Sequence, residues 1–205
     1  MKKNYVSNQR ESARMFKSDF LESLSKIHYA VPLFIFIPAI IFFIYLAFTK
    51  GITIPAFVGY FAIGLVVWTA TEYFLHRYIF HYVPKSQWGL RLHFIFHGVH
   101  HDYPRDSKRL VMVPTVSIPL AALFYGLFSL FIHQQNLYSF FAGFLLGYLV
   151  YDMTHYALHH ANFKNSFWKK IKDHHMLHHY ADPSKGYGVS SKLWDKILDS
   201  DFPKK

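Results

Sequence analysis

Long stretches without charged residues divide the chain into segments that are long enough to cross a membrane. The three longest lie between Lys26 and Lys50 (23 residues), between Lys50 and Glu72 (21 residues) and between Arg109 and Asp152 (42 residues). A helix rises about 1.5 Å per residue and needs roughly 20 apolar residues to cross the hydrocarbon core. The longest stretch is therefore long enough for two crossings, and the polar run at residues 133–136 predicts the hairpin between them.

This pattern predicts an all-α integral membrane protein with four transmembrane helices. We expect the helices near residues 29–48, 55–76, 111–132 and 136–158. Buried helices of a soluble protein are the alternative, but such helices seldom run so long without charge. One domain is expected over residues 1–205: an N-terminal segment (1–28), a membrane region (29–158) that includes a histidine-rich segment (76–110), and a helical cap (159–205).

Basic residues lie almost entirely on one side of the predicted helices. Of the 22 Lys and Arg residues, six precede residue 29, six lie within 76–110 and nine follow residue 154, whereas Lys50 lies on the other side. Since short cytoplasmic segments carry the excess of Lys and Arg, the N-terminal segment, the histidine-rich segment and the cap are predicted to be cytoplasmic. We expect a multi-pass protein of a bacterial inner membrane or the endoplasmic reticulum. The net charge of +10 is explained in this way, and no nucleic-acid partner is expected.

The amino-acid composition excludes a disordered protein and several classes of metal site. Apolar residues make up 52% of the chain and aromatic residues 20%, which excludes a disordered protein. The absence of cysteine excludes disulfides, thiolate zinc sites, iron–sulfur clusters and haem-thiolate sites. Fifteen histidines remain, which is more than ordinary packing requires.

Thirteen of these histidines fall in four clusters, all on the predicted cytoplasmic side. The clusters lie at residues 76–81, 93–101, 155–160 and 174–179, and only His28 and His133 lie outside them. Neutral imidazole binds iron, zinc, copper and nickel well. A single catalytic zinc needs only three protein ligands, so one ion would leave most of the clusters unexplained. Ten imidazoles would supply two five-coordinate sites.

Helical spacing indicates which side chains can converge. Residues three or four apart share a helical face. Three sets meet this condition: His155 with His159; His97 with His100 and His101; and His175 with His178 and His179. His76 and His81 are about 140° apart on a straight α-helix, so a kink or a short extra segment must intervene if both are ligands.

Four carboxylates lie next to the clusters. Metal-bound histidines usually donate their second N–H to a carboxylate. Glu72 and Asp152 lie one turn before His76 and His155, and we expect them to play this role. For Asp102 and Asp173, in polar segments, simple solvation is an equal alternative.

The histidine boxes and the residues around them resemble the membrane fatty acid hydroxylase superfamily. The boxes are HxxxxH (76–81), HxxHH (97–101), HxxxHH (155–160) and HHxxHH (174–179). Three longer segments are similar to the fatty acid 2-hydroxylases: EYFLHRYIFH (72–81), HGVHHDYPRDSKRLV (97–111) and GYGVSSKLWD (186–195). The last is interpreted as part of a lid without direct chemistry.

The resemblance implies a di-metal monooxygenase, functionally di-iron (Fe²⁺), that uses O₂ to hydroxylate an acyl chain. Zinc is expected as a substitute in purified protein. By motif position the metal ligands are His76, His81, His97, His100, His101, His155, His159, His175, His178 and His179. His93, His160 and His174 are expected to support these ligands or line the pocket, and Tyr151 and Tyr156 are weaker candidates for substrate contact.

The expected partners are a lipid acyl substrate, the membrane and a separate electron donor. Animal and fungal members of the family carry an N-terminal cytochrome b5 domain, which does not fit in the residues before the first predicted crossing. We therefore expect a cytochrome b5-like protein or a ferredoxin with its reductase. Residues 105–109 are expected to lie under lipid phosphates or to bind a head group. Hydroxylation or desaturation of another lipid (a sterol or carotenoid) and metal transport are the alternative functions.

Overall fold

The computed structural model describes residues 6–203. Within this range every regular element of secondary structure is a helix, and no strand is found. Residues 1–5 and 204–205, the ends of the predicted N-terminal segment and cap, lie outside the described residues. The α-helices are α1 (Asp19–Leu24), α2 (Val31–Thr49), α3 (Ile54–Phe74), α4 (Gln87–His93), α5 (Val99–Asp102), α6 (Pro114–Ser129), α7 (Gln134–His160), α8 (Ser166–Tyr180) and α9 (Leu193–Ile197). Two π-helices complete the set: π1 (Leu75–Phe80) continues α3, and π2 (Phe94–Gly98) joins α4 to α5. The all-α prediction is confirmed.

Within residues 6–203, three helical runs are long and apolar enough to cross a membrane. They are α2 with 19 residues, α3 with π1 (27 residues) and α7 with 27 residues. The fourth predicted crossing is the shorter α6, with 16 residues. Pro114 stands in its first turn, where the missing N–H does no harm, and residue 113 before it is extended. The count of four crossings stays a prediction.

Contacts divide the chain into two compact units, and the first comprises residues 30–70 and 112–152. Within this unit α3 and α7 approach backbone to backbone. A Cβ atom on Gly143 would overlap the backbone of Phe61, and one on Gly147 would meet the side chain of Trp68. Small residues four apart allow this close approach between apolar helices. The Ser139 hydroxyl also donates a hydrogen bond to the carbonyl of Phe57 at 2.7 Å.

The second unit comprises residues 6–29, 71–111 and 153–203. Its N-terminal arm, residues 7–27, lies against residues 102–109. The buried Arg109 guanidinium binds Glu22 and donates to the Ser12 hydroxyl at 2.6 Å and to the carbonyl of Ala13 at 2.8 Å. The Asp106 carboxylate accepts from the Ser12 amide at 2.9 Å. Asp106 and Arg109 therefore hold the arm, which corrects the expectation that they face lipid phosphates or a head group.

Helix α8 packs in this second unit through one buried face. It begins after Asn165, whose side chain accepts a hydrogen bond from the Phe167 amide at 2.8 Å. Its buried face carries all four histidines of the fourth cluster: His174, His175, His178 and His179. The chain then turns back at Gly186, which has a φ of +70°, into the loop that leads to α9.

Candidate metal centre

A π-helical turn brings His76 and His81 together. The His81 amide donates to the carbonyl of His76 at 3.1 Å, five residues back. With this hydrogen-bond pattern, residues five apart come to lie over one another, as residues four apart do in an α-helix. The required irregularity is therefore π1, and the Nε2 atoms of the two histidines lie 3.2 Å apart.

Five imidazoles converge in what we call the first histidine group: His76, His81, His97, His101 and His178. Their ligand nitrogens all lie within 4.8 Å of one another. The Nε2 atom of His97 is 3.2 Å from that of His76, 3.1 Å from that of His81 and 2.9 Å from that of His101. The Nε2 atom of His178 is 3.0 Å from that of His81.

The other five predicted ligands form the second histidine group: His100, His155, His159, His175 and His179. Their ligand nitrogens also lie within 4.8 Å of one another. The Nε2 atom of His175 is 2.9 Å from that of His159 and 3.2 Å from that of His179. The Nε2 atom of His100 is buried and has no hydrogen-bond partner in the part of the chain that the structure describes. The structure thus brings together all ten residues of the predicted ligand set.

The continuous segment of π2 and α5 contributes histidines to both groups, and so does α8. His97 and His101, four residues apart, face the first group, whereas His100 faces the second. On α8 the division is reversed: His175 and His179 belong to the second group and His178 to the first. Side chains at i+3 and i+4 diverge to either side of residue i, so one helix can supply two neighbouring sites. The two groups adjoin, and the rings of His101 and His179 stack at 4.3 Å.

Backbone carbonyls fix the orientation of two ligands in the first group. The Nδ1 atom of His76 lies 2.5 Å from the carbonyl oxygen of Tyr187. The Nδ1 atom of His178 lies 2.6 Å from the carbonyl oxygen of Lys185. Since a carbonyl can only accept, Nδ1 carries the hydrogen in both rings, and Nε2 is left with a lone pair for a cation.

Burial keeps these imidazoles uncharged. Among histidines outside the membrane-length helices, burial is the largest cause of a lowered pKa, and it lowers the pKa of His81 to about 2 and that of His178 to about 4. Five other predicted ligands have pKa values well below the usual value, lowered first by burial and then by neighbouring imidazoles: His97, His100, His101, His175 and His179. At neutral pH these rings are therefore uncharged, and none must lose a proton before it binds a metal.

The nitrogen positions fit a metal ion in each group. The Nε2 atoms of His76, His81 and His97 lie 3.1–3.2 Å from one another, and a triangle of ring nitrogens cannot satisfy itself by hydrogen bonds. Two nitrogens bound to one ion at about 2.0–2.1 Å, near a right angle, lie about 3 Å apart. Sets composed only of imidazoles suit iron, zinc and copper.

Comparison with known proteins decides the family. Residues 61–200 match the family described as fatty acid hydroxylase. The chain belongs to the fatty acid hydroxylase family. The resemblance to its 2-hydroxylase members is confirmed, and with it the prediction that the chain is a hydroxylase-type oxidoreductase.

Several hydroxylases are similar over most of this chain. The dihydroceramide fatty acyl 2-hydroxylase FAH2 of Arabidopsis thaliana is 38% identical over 189 residues, which are 92% of this chain and 79% of that protein. The fatty acid 2-hydroxylase of Rattus norvegicus is 36% identical, with 93% of this chain and 57% of that protein covered. A solved structure described as full-length scs7p, with only the hydroxylase domain visible, matches at a TM-score of 0.86 and 36% identity, covering 90% of this chain and 70% of that one.

The carboxylate that the sequence places beside His76 has other partners in this hydroxylase. Glu72 accepts hydrogen bonds from the Val189 and Ser190 amides, both at 2.8 Å, and from the Ser190 hydroxyl at 2.5 Å. The predicted direct bond from His76 is not formed, because His76 Nδ1 is held by the carbonyl of Tyr187. Glu72 instead holds the loop that supplies this carbonyl.

The other three carboxylates lie in different surroundings, and a supporting role for Asp152 stays a prediction. Asp152 accepts from the Met112 amide and the Tyr148 hydroxyl, both at 3.2 Å. Asp173 is exposed on α8 and forms no hydrogen bond to a histidine within residues 6–203, because its side chain points away from the buried face. Asp102 is half-buried, and its backbone carbonyl accepts from the Ser7 amide at 2.7 Å.

The remaining candidates occupy varied positions. His174 is buried, and its Nε2 lies 3.1 Å from the carboxylate of Asp195, whereas His93 is half-buried and His160 is exposed. The Tyr156 ring stacks on that of Tyr29 at 4.6 Å. Tyr151 is buried, with its ring 5.8 Å from that of Trp68. A contact of either tyrosine with substrate stays a prediction.

Asp195 is a buried carboxylate beside the histidines that sequence reasoning did not include among the site residues. It is fully buried and accepts from the amides of Tyr187 and Gly188 at 2.9 and 2.8 Å. Burial alone would raise the pKa of Asp195, but hydrogen bonds from His174, Ser200 and Gly188 outweigh burial and lower it. The signal was present in the GYGVSSKLWD segment, whose interpretation as a lid overlooked its link to the histidines.

Proposed function

We propose that this hydroxylase is a di-iron monooxygenase that hydroxylates C2 of a long acyl chain, using O₂ and electrons from a separate donor. The observation that carries the proposal is the pair of adjoining five-imidazole groups, each with its ligand nitrogens within 4.8 Å. Relatives named as fatty acid and dihydroceramide fatty acyl 2-hydroxylases support the position and the substrate class, a free fatty acid or a ceramide-type lipid.

The proposed reaction requires a redox-active metal, which the histidines would bind. An acyl C–H bond has no leaving group, so acid–base groups alone cannot oxygenate it. Iron bound by the two groups would supply the activation of O₂ and the transfer of electrons, which zinc in the same ligands cannot do. The chain's own contribution is to bind the ions through uncharged imidazoles, to orient His76 and His178 through backbone carbonyls, and to keep most of the ligands away from water.

The metal content of the purified protein tests this assignment. We expect two ions per chain, with loss of metal and activity on His97→Ala in the first group or His159→Ala in the second. His133→Ala is the matched control, because His133 is exposed and belongs to neither group. A stoichiometry near one, or full activity without His159, would contradict the ten-ligand assignment.

We also propose that α2, α3, α6 and α7 cross the membrane and that the histidines face the cytoplasm. The distribution of basic residues supports this orientation. Helix α6, about 24 Å long, is shorter than a core of roughly 30 Å, so local thinning of the bilayer must accompany it.

The lack of native cysteines makes the orientation simple to test. Cysteines introduced at Lys50 and Gln135 should react with an impermeant reagent from outside the cell, and one at Lys164 should not. Labelling of the Lys164 position from outside would refute the orientation.

The electron donor is proposed to be a cytochrome b5-like protein or a ferredoxin with its reductase. Reconstitution with each donor, followed by measurement of product per electron consumed, distinguishes them. Failure of both donors to support turnover would contradict this part of the proposal.

A further inference from the structure

Two buried carboxylates hold the loop at residues 185–190. Four consecutive amides of this loop donate to them: those of Tyr187 and Gly188 to Asp195, and those of Val189 and Ser190 to Glu72. Asp195 is 0% and Glu72 4% exposed. Carbonyls of the same loop contact the first histidine group, through Tyr187 to His76 and through Lys185 to His178.

One peptide plane connects Asp195 directly to a predicted metal ligand. The carbonyl of Tyr187, which faces His76 Nδ1 at 2.5 Å, belongs to the same amide group as the Gly188 N–H. That N–H donates to Asp195 Oδ2 at 2.8 Å. Because the amide is planar and conjugated, a carboxylate on its N–H side makes the carbonyl oxygen a better acceptor. The arrangement is a carboxylate–histidine pair with one peptide group inserted between the two.

The Lys185 carbonyl is tied to the same carboxylate. It shares a peptide plane with the Gly186 amide, which donates to the carbonyl of Ser200 at 2.8 Å. The Ser200 hydroxyl in turn donates to Asp195 Oδ1 at 2.8 Å. Both carbonyls that orient first-group ligands therefore depend on Asp195.

Two ligands of the second histidine group have no corresponding support. The Nδ1 atoms of His175 and His179 are buried and lack a hydrogen-bond partner within residues 6–203. Both of the loop carbonyls described above contact ligands of the first group.

We propose that Asp195 and Glu72 are positioning residues for the metal ion of the first histidine group alone, acting through the peptide groups of residues 185–190. This rests on the proposed function, since it assumes that each group binds one ion. Loss of such support typically lowers metal affinity about 10- to 100-fold.

The test measures zinc content per chain after equilibration with Zn²⁺ and a competing chelator. Asp195→Asn is combined separately with His159→Ala, which disables the second group, and with His97→Ala, which disables the first. In the His159→Ala background, we expect Asp195→Asn to reduce the zinc content from about one ion per chain towards zero. In the His97→Ala background, we expect it to leave the content near one. The matched control is Asp201→Asn, because the Asp201 carboxylate also lies near His174, at 3.4 Å from Nδ1, but accepts from the Phe202 amide and not from the loop amides that bind Asp195.

Equal loss of zinc in both backgrounds, loss only beside His97→Ala, or no loss in either would overturn the positioning role. If Asp195→Asn fails to fold, Ser190→Ala replaces it: this variant removes one hydrogen bond to Glu72 and keeps both backbone ones, and the same selectivity is required of its smaller effect. A wild-type content below two ions contradicts the proposed function, whereas two ions with an unselective Asp195→Asn contradict only the positioning role.

Discussion

Replacing Arg109 by methionine should release the N-terminal arm, residues 7–27. The Arg109 side chain is 2% exposed and that of its partner Glu22 12% exposed. Methionine keeps much of the aliphatic volume but removes the cation. Among the described residues, Glu22 then retains the amides of Met15 and Phe16 and the charge of Lys26 as partners.

The size of the effect follows from the burial of the pair. Removing one partner of a buried ion pair costs about 3–5 kcal/mol when the other charge is left without compensation. Glu22 keeps the amides of Met15 and Phe16 and the charge of Lys26, so the lower end of this range applies. Each 1.4 kcal/mol is a factor of ten, so a cost of about 3 kcal/mol should raise the opening equilibrium of the arm about 10²-fold. Asp19→Asn is the control: the Arg14–Asp19 pair has side chains 52% and 94% exposed, and water screens it.

Hydrogen–deuterium exchange of the detergent-solubilised protein measures this opening. The Ser7 and Ile27 amides, which donate to the carbonyls of Asp102 and Lys108, should lose protection in Arg109→Met. Peptides from α7 should exchange as in the wild type. Unchanged exchange of the arm in Arg109→Met, or equal loss of protection in Asp19→Asn, would refute the reasoning.

Three further predictions concern packing, metal and pH. Gly143→Ala should clash with Phe61, lower the free energy of unfolding by about 1–3 kcal/mol and so lower the melting temperature. Gly126→Ala, with open space around its Cβ, should not; thermal unfolding of both variants checks this. Chelation should lower the melting temperature, zinc or iron should restore it, and iron alone should restore hydroxylation; recovery of turnover with zinc would contradict a redox role for the metal. Burial lowers the pKa values of the predicted ligands outside the membrane-length helices, so the unfolded chain binds more protons below pH 6.5. The metal-free protein should therefore lose stability as pH falls from 6.5 towards the pKa of about 4 of His178; stability that rises on acidification would contradict this.

The sequence predicts the long helices well, because a run of apolar residues without charge leaves few alternatives. Predicted ends near 48 and 158 correspond to observed ends at Thr49 and His160. Helix α6 is shorter than predicted because apolar composition does not show where a helix begins, and Pro114 sets that point. The ten histidines that the family resemblance implies as metal ligands converge in the structure, and their role as ligands stays a prediction.

The division of the histidines into two groups could not be read from spacing. Positions i+3 and i+4 both count as one face, yet they separate His100 from His101 in the structure. The carbonyls that orient His76 and His178 leave no mark on residue identity, because every residue has one. The arm is held by contacts such as Ser12 with Asp106, 94 residues apart, which no periodic pattern signals.

The position of oxidation tests the central claim most directly. Cells that contain the protein are given a long saturated fatty acid with two deuterium atoms at C2, and their lipids are analysed by mass spectrometry. We predict a product that has lost one deuterium and gained one oxygen, and that is absent in His159→Ala. An oxidised product that retains both deuterium atoms would place the chemistry at another carbon and contradict the assignment.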